Sequence, residues 1–247
     1  MGRFVKVLLL ALLVLVVLLV GAFVFRRTEV QVATFAGVDA VELASDSGSI
    51  SISQTRGDEL LVTSKLRFVG RKPKLVQKAE GRSLRLQSEC EFPLVTCGVD
   101  YSIRVPEQTA VQVILSAGEV KLIGLDGRIK VDTDAGNIYG SALGGQIHLK
   151  TSAGNISGDR LESPGVLAVS LAGNIELAFA KAPTLVDAST GAGNISLKVP
   201  DKGFRVKTRA VAGKVNVGIS TDPSAEGLLS AKTPAGNISI TRKESSQ

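Results

Sequence analysis

From residue 129 onward the chain alternates. Ahead of a recurring turn phrase, every second position is apolar or small: Ile129, Val131, Thr133 and Ala135 in one stretch, Ile147, Leu149, Thr151 and Ala153 in the next, Leu229, Ala231, Thr233 and Ala235 near the end. The intervening positions are mostly polar, as with Lys130, Asp132 and Asp134, then His148, Lys150 and Ser152. A period of two marks a β-strand with one face buried. A shorter run follows each phrase, for example Val120-Lys121-Leu122-Ile123 or Ile195-Ser196-Leu197-Lys198-Val199. Each period therefore predicts about two strands and two turns.

The phrase itself is nearly invariant: Ala135-Gly136-Asn137-Ile138, Ala153-Gly154-Asn155-Ile156, Ala172-Gly173-Asn174-Ile175, Ala192-Gly193-Asn194-Ile195 and Ala235-Gly236-Asn237-Ile238. Two degenerate copies are Ala117-Gly118-Glu119-Val120 and Ala212-Gly213-Lys214-Val215. The glycines are spaced by 18, 18, 19, 20, 20 and 23 residues. A short, nearly fixed period is the mark of a solenoid, because such a unit buries its inner face only by stacking on its neighbours. The predicted fold is all-β, a stacked-strand, β-helix-like solenoid. Gly permits a positive φ at the corner, Asn tolerates turn geometry, and a column of Asn137, Asn155, Asn174 and Asn194 is placed to share amide hydrogen bonds up the stack. Asn155, Asn194 and Asn237 also match an Asn-x-Ser sequon, which their place in the turn phrase makes incidental.

Val41 to Ile50 fits the same template, so the domain is expected to begin near Val38. Between there and residue 110 the pattern loosens. Leu60 to Phe68 and Ser83 to Ser88 read as longer strands, joined through the basic run Gly70-Arg71-Lys72-Pro73-Lys74. End coils of a solenoid must be atypical, since a bare end exposes core and sheet edge. The expected organisation is an irregular cap over 38–110, a repetitive solenoid over 111–241, a linker at 28–37 and a frayed, disordered tail at 242–247.

Ahead of this lies an uncharged run, Val7 to Phe25, of the length that crosses a bilayer as a helix. Residues 1–27 are thus expected to form one N-terminal transmembrane anchor; the alternative, cleavage near Gly21-Ala22, is disfavoured by the bulky Phe23 that follows. Arg3 and Lys6 on one flank tie with Arg26 and Arg27 on the other, and the free amino terminus tips the N-terminus inside. Of the net charge of +6, residues 1–30 carry half, leaving a mildly charged domain unsuited to nucleic acid. The only two cysteines, Cys90 and Cys97, are close enough to pair, which fits an oxidising compartment; two buried free thiols are the alternative. The bulk of the chain is expected outside the cytoplasm.

The cysteine pair leading into Tyr101-Ser102-Ile103-Arg104-Val105-Pro106, followed by repeated Gly-x-Ile or Gly-x-Val strand phrases, resembles the putative adhesin family of bacterial envelope proteins, a domain of unknown function. The resemblance covers about residues 38–240. It implies a β-helix-like domain, often behind a membrane anchor, and carries no catalytic residues to transfer.

His148 is the only histidine and occupies an outward strand position; Asp132 and Asp134 share an outward face, as solvated acids commonly do. No phosphate loop, nucleophile elbow, zinc spacing or nonapeptide calcium repeat is present, so no enzyme, cofactor or metal is expected. The expected function is a non-enzymatic, membrane-anchored interaction or scaffold module, whose partner is another protein, a cell-wall polymer or itself. The alternative is a regulatory or sensor partner in an envelope-stress system; a polysaccharide-active enzyme ranks third. One coil stands apart: Leu167, Val169 and Leu171 occupy its outward positions, against Asp187, Ser189 and Gly191 in the next. This row is either covered by the chain itself, with 159–164 as the covering loop, or a contact patch for a second chain.

Overall fold

The structure, a computed structural model, describes residues 27–91 and 97–243. The expected span Val7–Phe25 and the tail residues 244–247 lie outside the described residues. Among the described residues no helix is long and apolar enough to cross a membrane.

The repeats stack as parallel rungs in register, each turn phrase upon the next. The continuous strands β2 (Ala40–Gln54) and β7 (Ala110–Ile123) each bend through a corner and so supply both sides of a rung. Next come the pairs β8 (Ile129–Ala135) with β9 (Ile138–Ser141), β10 (Ile147–Ala153) with β11 (Ile156–Leu161), β12 (Gly165–Ala172) with β13 (Ile175–Phe179), and β14 (Leu185–Ala192) with β15 (Ile195–Val199). All pair in parallel with their neighbours, Ala on Ala and Ile on Ile. A short third side closes each rung, held by Gly144 N–H to the Leu125 carbonyl (2.9 Å) and Glu162 N–H to that of Leu143 (2.9 Å). Leu125, Leu143 and Leu161 point from this side into the core. Opposite Leu143 and Leu161 stand Gly140 and Gly158, where a Cβ would collide with those leucine side chains. Small against large fills the thin core at these positions, and rings enter it elsewhere, with Tyr101, Phe179 and Phe204 buried.

The last two rungs are not in chain order. β14 pairs with β18 (Leu228–Ala235), and β18 pairs on its other side with β16 (Arg205–Ala212); β19 (Ile238–Arg242) likewise lies between β15 and β17 (Val215–Gly218). The chain skips one rung outward, then returns to fill the gap. Burial explains the preference. The inserted rung offers Leu229, Ala231, Thr233, Ile238 and Ile240, all fully buried, whereas the end rung offers the smaller Val206, Thr208, Ala210, Val215 and Val217, none of them fully buried. The larger apolar set gains more from being covered on both sides. Pro234 is tolerated inside because the Thr190–Thr233 and Gly191–Pro234 positions are missing from the β14–β18 ladder, so no N–H is required of it.

At the other end, the cap is narrower than 38–110. β5 (Ser83–Glu89) and β6 (Cys97–Val105) together form a further rung, parallel to the two halves of β2. Its corner is the Cys90–Cys97 loop, closed by a disulfide. Among the described residues, only antiparallel strands lie beyond it: β3 (Glu59–Phe68) on β6, β1 (Arg27–Ala36) on β3, and β4 (Lys74–Glu80) on β5. Leu60, Val62, Ser64 and Leu66 of β3 are fully buried, and Gln77 on β4 donates to the Ser64 hydroxyl (3.2 Å), so the two sheets close on each other. The linker expected at 28–37 is therefore strand β1. Its pattern is inverted, with Glu29 and Gln31 turned toward the fold and Val30 and Val32 outward, which hid it from a polarity reading. Glu29 is held there by Lys72 (2.7 Å) and Gln31 (2.9 Å). At the chain's far end, the expectation of a disordered tail from 242 does not hold for its first two residues: Arg242 belongs to β19, and Lys243 N–H donates to the Val199 carbonyl (2.9 Å).

Candidate functional site

The turn phrase is built for stacking. Gly118, Gly154, Gly173, Gly193, Gly213 and Gly236 have φ between +144° and +156°, a region open to glycine alone; Gly136 has no positive φ but sits in the same column. In each of these seven, a Cβ would overlap the carbonyl oxygen of the glycine in the adjacent rung. Close approach therefore demands glycine even where φ does not. The same carbonyls accept a bond from the inward hydroxyl of the next rung: Thr151 to Gly136 (3.0 Å), Ser170 to Gly154 (3.0 Å), Thr190 to Gly173 (2.7 Å) and Thr233 to Gly193 (3.0 Å). The corner alanines are exposed rather than inward, because the alternation breaks one residue before them.

The asparagines form a ladder, chiefly from side chain to backbone. Asn137 Oδ1 accepts from Asn155 N–H (2.9 Å), Asn155 from Asn174 (2.9 Å), Asn174 from Asn194 (2.8 Å), Asn194 from Asn237 (2.8 Å), and Asn237 from Lys214 (2.8 Å). Amide-to-amide contacts add to it at 3.4 Å in two steps. The ladder follows the spatial order, passing through Asn237 before Lys214, where no amide remains to continue it. Asp100, which sequence reading missed, fills the same position in the disulfide rung: its Oδ1 accepts from Ser49 N–H (3.0 Å) and is neutralised by Arg67 (2.6 Å). The sequence signal was its place immediately before Tyr101 in the Ile column.

On the outer face of the first-strand side, the segment 159–164 does not cover the apolar row. Its first residues, to Leu161, belong to β11, and the rest forms the third side of the rung, with Pro164 accepting from Thr184 N–H (2.9 Å). Leu167 and Val169 are half-buried by their neighbours and Leu171 is 60% exposed. Register adds what sequence spacing left apart. Leu185, half-exposed, lies beside Gly165 and diagonal to Leu167. Leu171, Gly191, Pro234 and Val211 are consecutive members of one outer column, each just ahead of its corner alanine. Gly165 carries no side chain and opens a shallow groove, walled by Leu167 and Leu185 and rimmed by Arg128, Lys130, His148 and Asp187. Asp187 Oδ1 is shielded from solvent there without a hydrogen-bond partner.

The catalytic alternatives gain no geometry. Asp132 pairs with Lys150 on the next rung (3.5 Å), Asp134 is exposed, and His148 stands between Lys130 and Leu167. Among the described residues no group of three or more His, Cys, Asp or Glu could hold a metal ion.

No family model and no curated protein matches the chain. Among solved structures it is similar to a putative adhesin from Bacteroides fragilis, at 14% identity and a TM-score of 0.46 over 88% of this chain and 97% of that one. It is similar to a putative cell adhesion protein from Clostridium sporogenes, at 13% and 0.38 over 88% and 100%. A putative lipid binding protein from Parabacteroides distasonis aligns at 11% and 0.37 over 88% and 97%.

Proposed function

We propose that the protein is a non-enzymatic interaction module of the cell envelope, anchored by Val7–Phe25 with residues 28–247 outside the cytoplasm, in the manner of an adhesin. The observation that carries this reading is the row Leu167, Val169 and Leu171 with Leu185. It is an uncovered apolar surface on a scaffold whose outer columns are otherwise mostly polar. Such a patch, at most a few hundred Å², suits the centre of a protein–protein contact. The Cys90–Cys97 disulfide supports the compartment.

The test is the triple substitution Leu167→Thr, Val169→Thr and Leu171→Thr, which keeps strand propensity and removes the patch. Crosslinking in cells followed by affinity capture should recover a partner with the wild type and lose it with the variant, the melting temperature staying close to wild type. Undiminished capture by the variant overturns the assignment of the row. Labelling of an introduced C-terminal cysteine from the cytoplasmic side alone overturns the orientation.

A further inference from the structure

The two ends of the stack are finished differently. At the disulfide end, β3 and β4 fold over the core and bury it. At the other, β16 and β17 pair, among the described residues, only on the side facing β18 and β19; on the outward side the chain's own segment 220–222 bonds Phe204, just ahead of β16, and leaves the strand open from Val206 on. Its inner residues Val206, Thr208 and Ala210 are half-exposed, and Val215 is 44% exposed. Arg205 N–H donates inward to the Gly227 carbonyl (2.8 Å). By strand alternation, the N–H and C=O groups of Val206, Thr208 and Ala210 then point away from the stack, a row of free partners for one more strand.

The charge on this edge has one sign. Arg205, Lys207 and Arg209 project from its outer face, and none has a carboxylate partner among the described residues. Lysine and arginine on an edge strand commonly serve to repel unwanted pairing. That role does not account for Lys232, which lies on the covered rung directly opposite Arg209, like charge against like. An uncompensated pair of this kind gains from an anionic neighbour. A second copy of this chain is a poor occupant, since two-fold pairing of β16 with itself sets its three cations against their own images.

We infer that the open rung is an acceptor for an extended acidic segment of another protein, which adds to β16 as a further strand. Acidic residues on alternate positions of the segment lie against Arg205, Lys207 and Arg209. The small or β-branched residues between them continue the core columns over Val206, Thr208 and Ala210. The backbone supplies affinity and the cationic row supplies register, as in other strand additions. This inference does not depend on the apolar row of the outer face.

The experiment uses the full chain in neutral detergent and fluorescein-labelled peptides read by anisotropy. The alternating peptide EVETEVE should bind about tenfold tighter than its scramble EEVVETE, which has the same charge. Arg205→Glu with Lys207→Glu and Arg209→Glu should weaken the alternating peptide at least about tenfold. Thr208→Pro keeps the cationic row and removes one outward N–H; it should lower binding to the level of the scramble. Circular dichroism confirms that both variants fold. Equal binding of the two peptides, full affinity in Thr208→Pro, or no binding of the alternating peptide overturns the inference. So does sedimentation as a dimer that Thr208→Pro dissociates, which would seat a second copy on this edge.

Discussion

Alanine at Gly173 tests the close stacking of the corners. The residue has φ +153°, and an added Cβ overlaps the Gly154 carbonyl oxygen. The backbone conformation alone costs of order 1–3 kcal/mol for a residue with a side chain. Relief of the overlap requires the two rungs to separate locally. That strains the bonds crossing this junction: Gly154 N–H to Ala172 (3.0 Å), the Ser170 hydroxyl on Gly154 (3.0 Å) and Asn174 N–H on Asn155 Oδ1 (2.9 Å). Each contributes about 1 kcal/mol net, so the expected loss is roughly 3–6 kcal/mol. For a domain of this size that corresponds to a fall in melting temperature of about 10–20 °C. Gly165→Ala is the control: nothing lies within 4 Å of its Cβ position and its φ is not positive, so it should be neutral or slightly stabilising. Thermal unfolding followed by circular dichroism reads both. If the two variants melt within about 2 °C of one another, the corners are not packed as described and the reasoning fails.

Three further outcomes follow from the geometry. With the native cysteines in place, Ser189→Cys with Lys232→Cys should form a disulfide, because those residues are direct partners; Ser189→Cys with Arg209→Cys should not, being two rungs apart, and the reverse result in peptide mapping would restore chain order to the rungs. Asp100→Ala should cost about 1–3 kcal/mol in urea unfolding by stranding Ser49 N–H and Arg67, while Asp100→Asn retains the Oδ1 acceptor and should cost less; equal losses would mean that only the charge matters. Burial pushes the Tyr101 phenol above its ordinary range near 10, against a smaller opposing pull from Ser88. From about pH 10 upward the unfolded chain ionises while the folded one resists, so stability should fall as pH rises through the folded value, and Tyr101→Phe should flatten that slope in pH-dependent unfolding.

Much of the architecture was legible in the chain. Period-two alternation with a near-invariant corner phrase leaves few solutions other than stacked rungs, since a single rung has no partner for its inner face. The asparagine column was visible for the same reason, because a fixed period converts sequence spacing directly into spatial columns, whereas the cysteine pair was visible as the chain's only two cysteines, close in sequence. Strand β1 escaped because its polar residues Glu29 and Gln31 face inward, Glu29 held by Lys72, a partner distant in sequence, and Gln31 by Glu29. Asp100 escaped because its rung is assembled from strands on either side of the disulfide loop, away from the recurring phrase.

Rung order was a tertiary decision. Periodicity specifies what each rung is, and any two rungs with matching columns can pair, so spacing alone is silent about sequence of stacking. The two degenerate phrases, with Glu119 and Lys214 in the asparagine column, are the points where the ladder fails, and the second marks the physical end of the stack although a perfect phrase follows it in the chain. What settled the order was differential burial. Leu229, Ile238 and Ile240 gain more from two neighbours than Val206, Val215 and Val217 do, and the connection through 219–227 is long enough to let the chain return. The same choice left β16 with its cations at the edge and Val211 in line with Leu171, so the surfaces on which partners are proposed to dock exist only in the folded arrangement.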